Sequence, residues 1–192
     1  MSNVNGDLSR VPAGGRLDVY ALVIYIPDPL GGFLDDLRLE LVPGCNPHAH
    51  VSVLPPRSLS VPWQVAGEQV RACAENWSPF AVELSAIRMF PVTNVIYIEL
   101  ARGAGELHRM HTKMNQAALE FNEPFEYHPH ITLAQELAPD RIEEVNRRAE
   151  QRWREYSGPR SFRAERAAFV RNTMGNHWED LAEFSLGPVA VR

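Results

Sequence analysis

Lysine is all but missing from this chain: of 19 basic residues only Lys113 is lysine, and the rest are arginine. Guanidinium suits two-pronged phosphate contacts better than ammonium does. Genomic composition produces the same bias, so the count decides nothing alone. Cysteine is equally scarce. Cys45 and Cys73 are the only two, which excludes a disulfide framework, and their spacing does not match a zinc site, so both read as free thiols. No apolar run approaches the ~20 residues needed to span a bilayer. The opening stretch MSNVNGDLSRVPAGGRLD has no apolar segment of signal-peptide type. The expectation is a polar, mobile tail over residues 1–18 and a cytoplasmic protein without membrane contact. A broad positive charge is missing too: the net charge of −5 argues against a protein that coats nucleic acid.

What is present fits one domain over residues 19–192. A chain of 192 residues with 45% hydrophobic content buries enough apolar surface to fold without disulfides or metals. Tyr20–Ile26 is an apolar run of strand length ended by Pro27. Leu30, Phe33, Leu34, Leu37 and Leu41 then recur at helical spacing, with Pro29 in the first turn and Gly44 past the end. His50–Leu54 alternates as a strand and is expected to stop at Pro55-Pro56. A helix fits Val61–Trp77 through the stripe Ala66, Val70, Cys73 and Trp77, and two strands follow at Phe80–Met89 and Val95–Leu100. Next come a helix marked by Leu107, Met110, Met114, Ala117 and Phe121, and a strand at His130–Leu133. A helix marked by Ile142, Val145, Ala149, Trp153 and Tyr156 leads to strands Phe162–Val170 and His177–Leu186, turned at Gly175-Asn176.

The order strand, helix, strand, helix, strand thus occurs twice, in intertwined pseudo-repeats over about 19–94 and 95–187. The expected fold class is α+β: a bilobal, duplicated arrangement of two mostly antiparallel sheets, each backed by two helices, with a central cleft.

Within this duplication HAHVSV (48–53) matches HPHITL (128–133), 80 residues on. In a strand, residues i and i+2 share a face. His50 therefore projects with Ser52, and His130 with Thr132, while Val51, Val53, Ile131 and Leu133 anchor the strands from behind. Two opposed histidines suit in-line displacement at phosphorus. One imidazole takes a proton from water and the other, as imidazolium, gives one to the leaving oxygen. The hydroxyls of Ser52 and Thr132 would bind the non-bridging oxygens. A 2′,3′-cyclic phosphate fits this chemistry, because its ring already holds the leaving oxygen in place. Which histidine is acid and which is base stays open.

These residues resemble the 2H phosphoesterase superfamily, which includes the 2′-5′ RNA ligase-like proteins and cyclic nucleotide phosphodiesterases. The match lies in His50-Val51-Ser52-Val53 and His130-Ile131-Thr132-Leu133 and in the duplicated layout after about residue 18. The resemblance implies a bilobal fold and catalytic roles for His50 and His130. It also implies phosphate binding by Ser52 and Thr132, with no metal and no other cofactor. The implied activity is that of a cyclic phosphodiesterase or 2′-5′ RNA ligase-like hydrolase, acting as a monomer on a small nucleotide or an RNA end. The sequence departs from the family in having Ala134-Gln135-Glu136 where a basic residue often follows the second motif.

Arg57 and Tyr127 are further candidates for substrate contact: Arg57, just past Pro55-Pro56, reads either as a phosphate contact or as a solvated loop arginine, and Tyr127, with Phe125, would stack on a base. His48 and His128 complete His-x-His pairs that either chelate a metal or orient the strand entrances. Two other readings compete. A histidine-triad nucleotide hydrolase needs a further histidine where Ser52 stands and has no second motif. A non-catalytic nucleotide or RNA sensor on the same fold would not need both histidines and both hydroxyls.

Overall fold

The computed structural model describes residues 18–173 and 177–187. The expected tail, Asp18 apart, and the Gly175-Asn176 turn lie outside the described residues. In order, the chain forms β1 (Tyr20–Tyr25), α1 (Leu30–Leu41), β2 (His50–Arg57), α2 (Trp63–Ala74), β3 (Phe80–Met89) and β4 (Ile96–Arg102). It continues with α3 (Ala104–Met114), β5 (His130–Ala134), α4 (Ile142–Glu155), β6 (Ser161–Ala164), β7 (Arg166–Thr173) and β8 (His177–Ser185). Among the described residues no helix is long and apolar enough to cross a membrane.

The strands form two antiparallel four-stranded sheets in the orders β2-β1-β7-β8 and β5-β4-β3-β6. This is the α+β arrangement expected from the sequence, with one exchange built in. β3 of the first half joins the second half's sheet, and β7 and β8 of the second half join the first half's. β1 and β4 then hold equivalent interior places, and β2 and β5 equivalent edges. The interior place explains why β1 reads as an unbroken apolar run: it is flanked on both sides and buried along nearly its whole length. The helices cross over as well, α1 packing against β5 and α3 against β2. One apolar core consequently runs through both sheets, from Leu22, Val51 and Phe169 to Ile98, Ile131 and Val82.

Helix α1 buries Leu30, Leu34, Leu37 and Leu41. It starts where the Asp28 carboxylate accepts the Gly32 N–H at 2.9 Å. Past its C-terminus Gly44 takes a positive φ of 86°, a conformation open to glycine at little cost.

Four elements differ from the sequence expectation. β2 runs on through Pro55 and Pro56 to Arg57. Only β1 pairs with it, and an edge strand tolerates residues without an N–H. The second helix is trimmed to Trp63–Ala74, leaving Cys73 and Trp77 partly buried at the core margin. The third helix stops at Met114, because side chains satisfy the peptide groups that a longer helix would pair. Gln69 donates to the carbonyls of Met114 and Gln116 at 3.2 and 2.7 Å and accepts the Ala118 N–H at 3.1 Å. Ala117 falls in a short 3-10 turn and Phe121 beyond it. The run Phe162–Val170 is two strands in different sheets, β6 pairing with β3 and β7 with β1 across Glu165.

Gly103 opens α3 with φ of 91°, and a Cβ there would lie 2.9 Å from the Ala81 carbonyl oxygen and 3.0 Å from Val82 Cγ2. Gly103→Ala is expected to cost ~2 kcal/mol through strain and contact. Urea denaturation checks this, and a loss below ~0.5 kcal/mol would contradict the packing described.

Candidate active site

The two edge strands β2 and β5 lie against each other where the sheets meet. Their alternation is as expected. Val51, Val53 and Ile131 are fully buried and Leu133 nearly so, while His50, Ser52, His130 and Thr132 are half-buried on the opposite faces. The histidines are near enough that charge on His130 opposes protonation of His50.

Both rings are fixed in the same way. Nδ1 of His50 lies 2.7 Å from the His48 carbonyl oxygen, and Nδ1 of His130 lies 2.6 Å from that of His128. A carbonyl only accepts, so Nδ1 carries the hydrogen in each ring and, when the ring is neutral, Nε2 keeps its lone pair. The outer residues His48 and His128 thus orient the motif histidines through their backbones. Their own rings pack against aromatics. His48 stacks on Tyr25 with centroids 3.6 Å apart, and His128 sets its edge toward Phe90 and Tyr97. Among the described residues, no three His, Cys, Asp or Glu side chains are grouped to hold a metal ion.

Burial pushes the His50 imidazole down to about 4; the bond to His48 opposes this in part, while the charges of Arg38, His48 and His130 add to it. Burial likewise lowers His130, again opposed by its carbonyl bond and aided by charge on His128. Both rings are therefore neutral near pH 7 in the free protein. The tyrosines nearby hold their protons: burial, then the bond to Asp180, raises Tyr25, and burial raises Tyr97 and Tyr127.

Aromatic side chains wall the site. Phe90 stacks on Tyr97 at 4.1 Å, and His130 sits edge-on to both, at 5.0 and 5.2 Å. On the other sheet Tyr25, paired across from His50 in the ladder, donates its hydroxyl to Asp180 at 2.6 Å. Sequence reading overlooked Tyr25, Phe90, Tyr97 and Arg38. Tyr97 was open to it in principle, as the strand residue opposite Thr132, but only once the strand register is known.

Arg57 needs correction. It is 1% exposed, neither a solvated loop residue nor a side chain reaching for phosphate. Its guanidinium donates to the Pro55 carbonyl at 3.0 Å, to Asn115 Oδ1 and the Leu119 carbonyl at 2.7 Å each, and to Glu123 at 2.5 Å. Glu123 also accepts from Nε2 of His111 at 2.8 Å. Burial disfavours the Glu123 charge, but the His111 bond and the His111 and Arg57 charges outweigh it and hold the carboxyl below its usual range. Tyr127 belongs to the same scaffold: its hydroxyl donates to the Ser52 carbonyl at 2.8 Å, and its ring stacks on His111 at 3.9 Å. Together these contacts strap the irregular segment leading into β5 onto β2. Phe125 is 61% exposed.

Two sheets exchanging strands about a symmetric pair of histidine motifs define a duplicated phosphoesterase architecture, and the comparisons agree. The family model described as the 2′-5′ RNA ligase superfamily matches residues 26–176, and the chain belongs to that family, the 2H phosphoesterases. A protein of Bacillus licheniformis provisionally named a phosphoesterase is 26% identical over 135 residues, 66% of this chain and 76% of that protein. One of Oceanobacillus iheyensis, likewise provisionally named, is 32% identical over 79 residues; that match spans 41% of this chain and 46% of its relative. The crystal structure of TT0787 from Thermus thermophilus has the same fold, with TM-score 0.62 and 19% identity over 88% of this chain and 98% of that one. So does E. coli LigT, at TM-score 0.60 and 15% identity over 88% and 98%, a protein also crystallised with phosphate, 3′-AMP, ATP and NADP+.

Removing one partner of a buried ion pair leaves the other uncompensated. Arg57→Met is therefore expected to destabilise the fold by ~3–5 kcal/mol in urea denaturation. A loss below ~1 kcal/mol would contradict the scaffold role.

Proposed function

We propose that this protein is a metal-independent phosphoesterase that opens a 2′,3′-cyclic phosphate or cleaves a 2′-5′ phosphodiester in a nucleotide or at an RNA end. The observation that carries this reading is the matched pair of carbonyl-held imidazoles, each with Nδ1 occupied and Nε2 left for substrate. Nucleotide complexes of LigT, a protein of the same fold, support the substrate class.

His50, the ring held more firmly neutral by burial and by surrounding positive charge, is the general base. Its Nε2 takes a proton from water as the oxygen attacks phosphorus. The bond from phosphorus to the ribose oxygen breaks on the far side, and His130, protonated in the productive form, donates from Nε2 to that oxygen. Ser52 and Thr132 hydrogen-bond the non-bridging oxygens, whose charge grows in the transition state. With a 5′-hydroxyl in place of water, the same two proton transfers open the cyclic phosphate and join a 2′-5′ linkage, the 3′ oxygen leaving with the proton from His130. The anionic phosphate helps His130 carry its proton, because an opposite charge at close range favours the charged form.

The pH profile follows with a definite sign. In the free enzyme the essential base titrates at about 4, and the essential acid below the ordinary 6.5. The optimum of kcat/KM for a nucleoside 2′,3′-cyclic phosphate, in excess EDTA, is expected on the acid side, between pH 4 and 6.5. The kcat optimum is expected higher, because bound phosphate raises the imidazoles. His50→Ala and His130→Ala are each expected to lose at least ~100-fold in kcat/KM. Activity abolished by EDTA, or near-normal turnover in either variant, would overturn the mechanism.

A further inference from the structure

Arg38 lies on α1, one turn beyond the buried Leu34. Its Nε is buried and has no hydrogen-bond partner, and it makes no ion pair among the described residues. Neighbouring arginines are matched: Arg148 and Arg152 both bind Glu40, and Arg57 binds Glu123. Asp35, three residues before Arg38 on the same helix, spends its carboxylate on the Ala49 N–H at 2.6 Å. A buried donor on a permanent cation is costly to leave unmade. Water satisfies the hydrogen bond but leaves the charge.

The surroundings identify the missing partner. The bond from the Ala49 N–H to Asp35 and the packing of α1 on β5 bring this turn of α1 beside both histidine motifs, and Arg38 is the permanent charge that bears on His50. Neither motif histidine has a carboxylate as an ion-pair partner among the described residues. The second motif is followed by Ala134-Gln135-Glu136, so the chain supplies no cation there. A permanent cation without a counter-ion, beside two imidazoles that can each take up a proton, is a site for an anion.

We propose that Arg38 is the phosphate-binding cation of this site, donating from Nε and an adjacent guanidinium nitrogen to non-bridging oxygens of the phosphoryl group that His50 and His130 address. The proposal deepens the function given above by assigning the permanent positive charge that holds the substrate's anionic centre. The planar fork of arginine suits two oxygens of one phosphate, which an ammonium does not match.

Inorganic phosphate is the probe, titrated calorimetrically into wild type, Arg38→Met and Arg38→Lys at pH 7, with melting temperatures taken in phosphate-free buffer. The expected result is saturable binding to wild type, weakened at least ~10-fold in Arg38→Met and less in Arg38→Lys, at melting temperatures that match wild type. If Arg38→Met does not fold, the comparison of Arg38→Lys and Arg38→Gln with wild type carries the same test. Phosphate affinity equal in wild type and variants, no phosphate binding by wild type, or a lowered melting temperature with affinity intact each overturns the assignment. Arg38-dependent phosphate binding in a protein that turns over no phosphodiester supports the anion site and removes the hydrolytic reading. Turnover by wild type with phosphate affinity indifferent to Arg38 does the reverse.

Discussion

The hydrogen bond from each motif histidine to the carbonyl two residues before it is the constraint on which the rest of the site depends. It settles which ring nitrogen carries hydrogen, which way the other points, and how far the ring swings from its strand. The two copies reach the same bond by different local means. In the first, the residue between the histidines is Ala49, whose N–H is taken by the Asp35 carboxylate and whose carbonyl accepts the Ile26 N–H at 3.0 Å. In the second that residue is Pro129, which has no N–H to satisfy. HAH and HPH are thus two solutions to one problem: carrying the chain into an edge strand with the preceding carbonyl turned toward the imidazole.

Strand exchange brings the two copies together. Because β3 and β7 change places, the sheets cannot separate without opening a shared core, and β2 and β5 meet as adjoining edges of one body. The buried pair Arg57–Glu123 and the bond from Tyr127 to the Ser52 carbonyl then tie the approach to the second motif directly onto the strand that bears the first. A buried ion pair is weak evidence for stability by itself. Here it fixes the position of a segment with no regular structure of its own, and His111, Asn115 and the carbonyls of Pro55 and Leu119 satisfy its remaining groups.

Much of this was legible in the residues. Strict alternation in HVSV and HITL put both histidines with their hydroxyl neighbours on one face, and the repeat of the motif exposed the duplication. Leucine spacing revealed the buried face of α1, because a stripe facing a single core leaves a clean helical period. What stayed hidden depends on tertiary context. Prolines 55 and 56 read as a stop because only the finished sheet makes β2 an edge. The Leu107–Phe121 period continues past the true end of α3, since Gln69 and Arg57 hold the following turn from a distance and Asn115, the first residue past the helix, accepts the Phe121 N–H. Phe162–Val170 reads as one strand because no proline, glycine or other turn residue marks Glu165, where the chain changes sheet. Arg57 looked like a loop arginine for the same reason: apart from the Pro55 carbonyl, its partners are 58 to 66 residues away.

The central claim is that both imidazoles rest neutral, with hydrogen on Nδ1 and a free Nε2. Nitrogen-15 NMR of histidine-labelled protein at pH 7, with His50→Gln and His130→Gln to assign the signals, tests it most directly. His50 and His130 are each expected to show a protonated Nδ1 and an unprotonated Nε2. For His50 this pattern should persist as the pH falls well below 6.5, toward the value of about 4. Nε2-protonated tautomers, or imidazolium rings already present at pH 7, would contradict it.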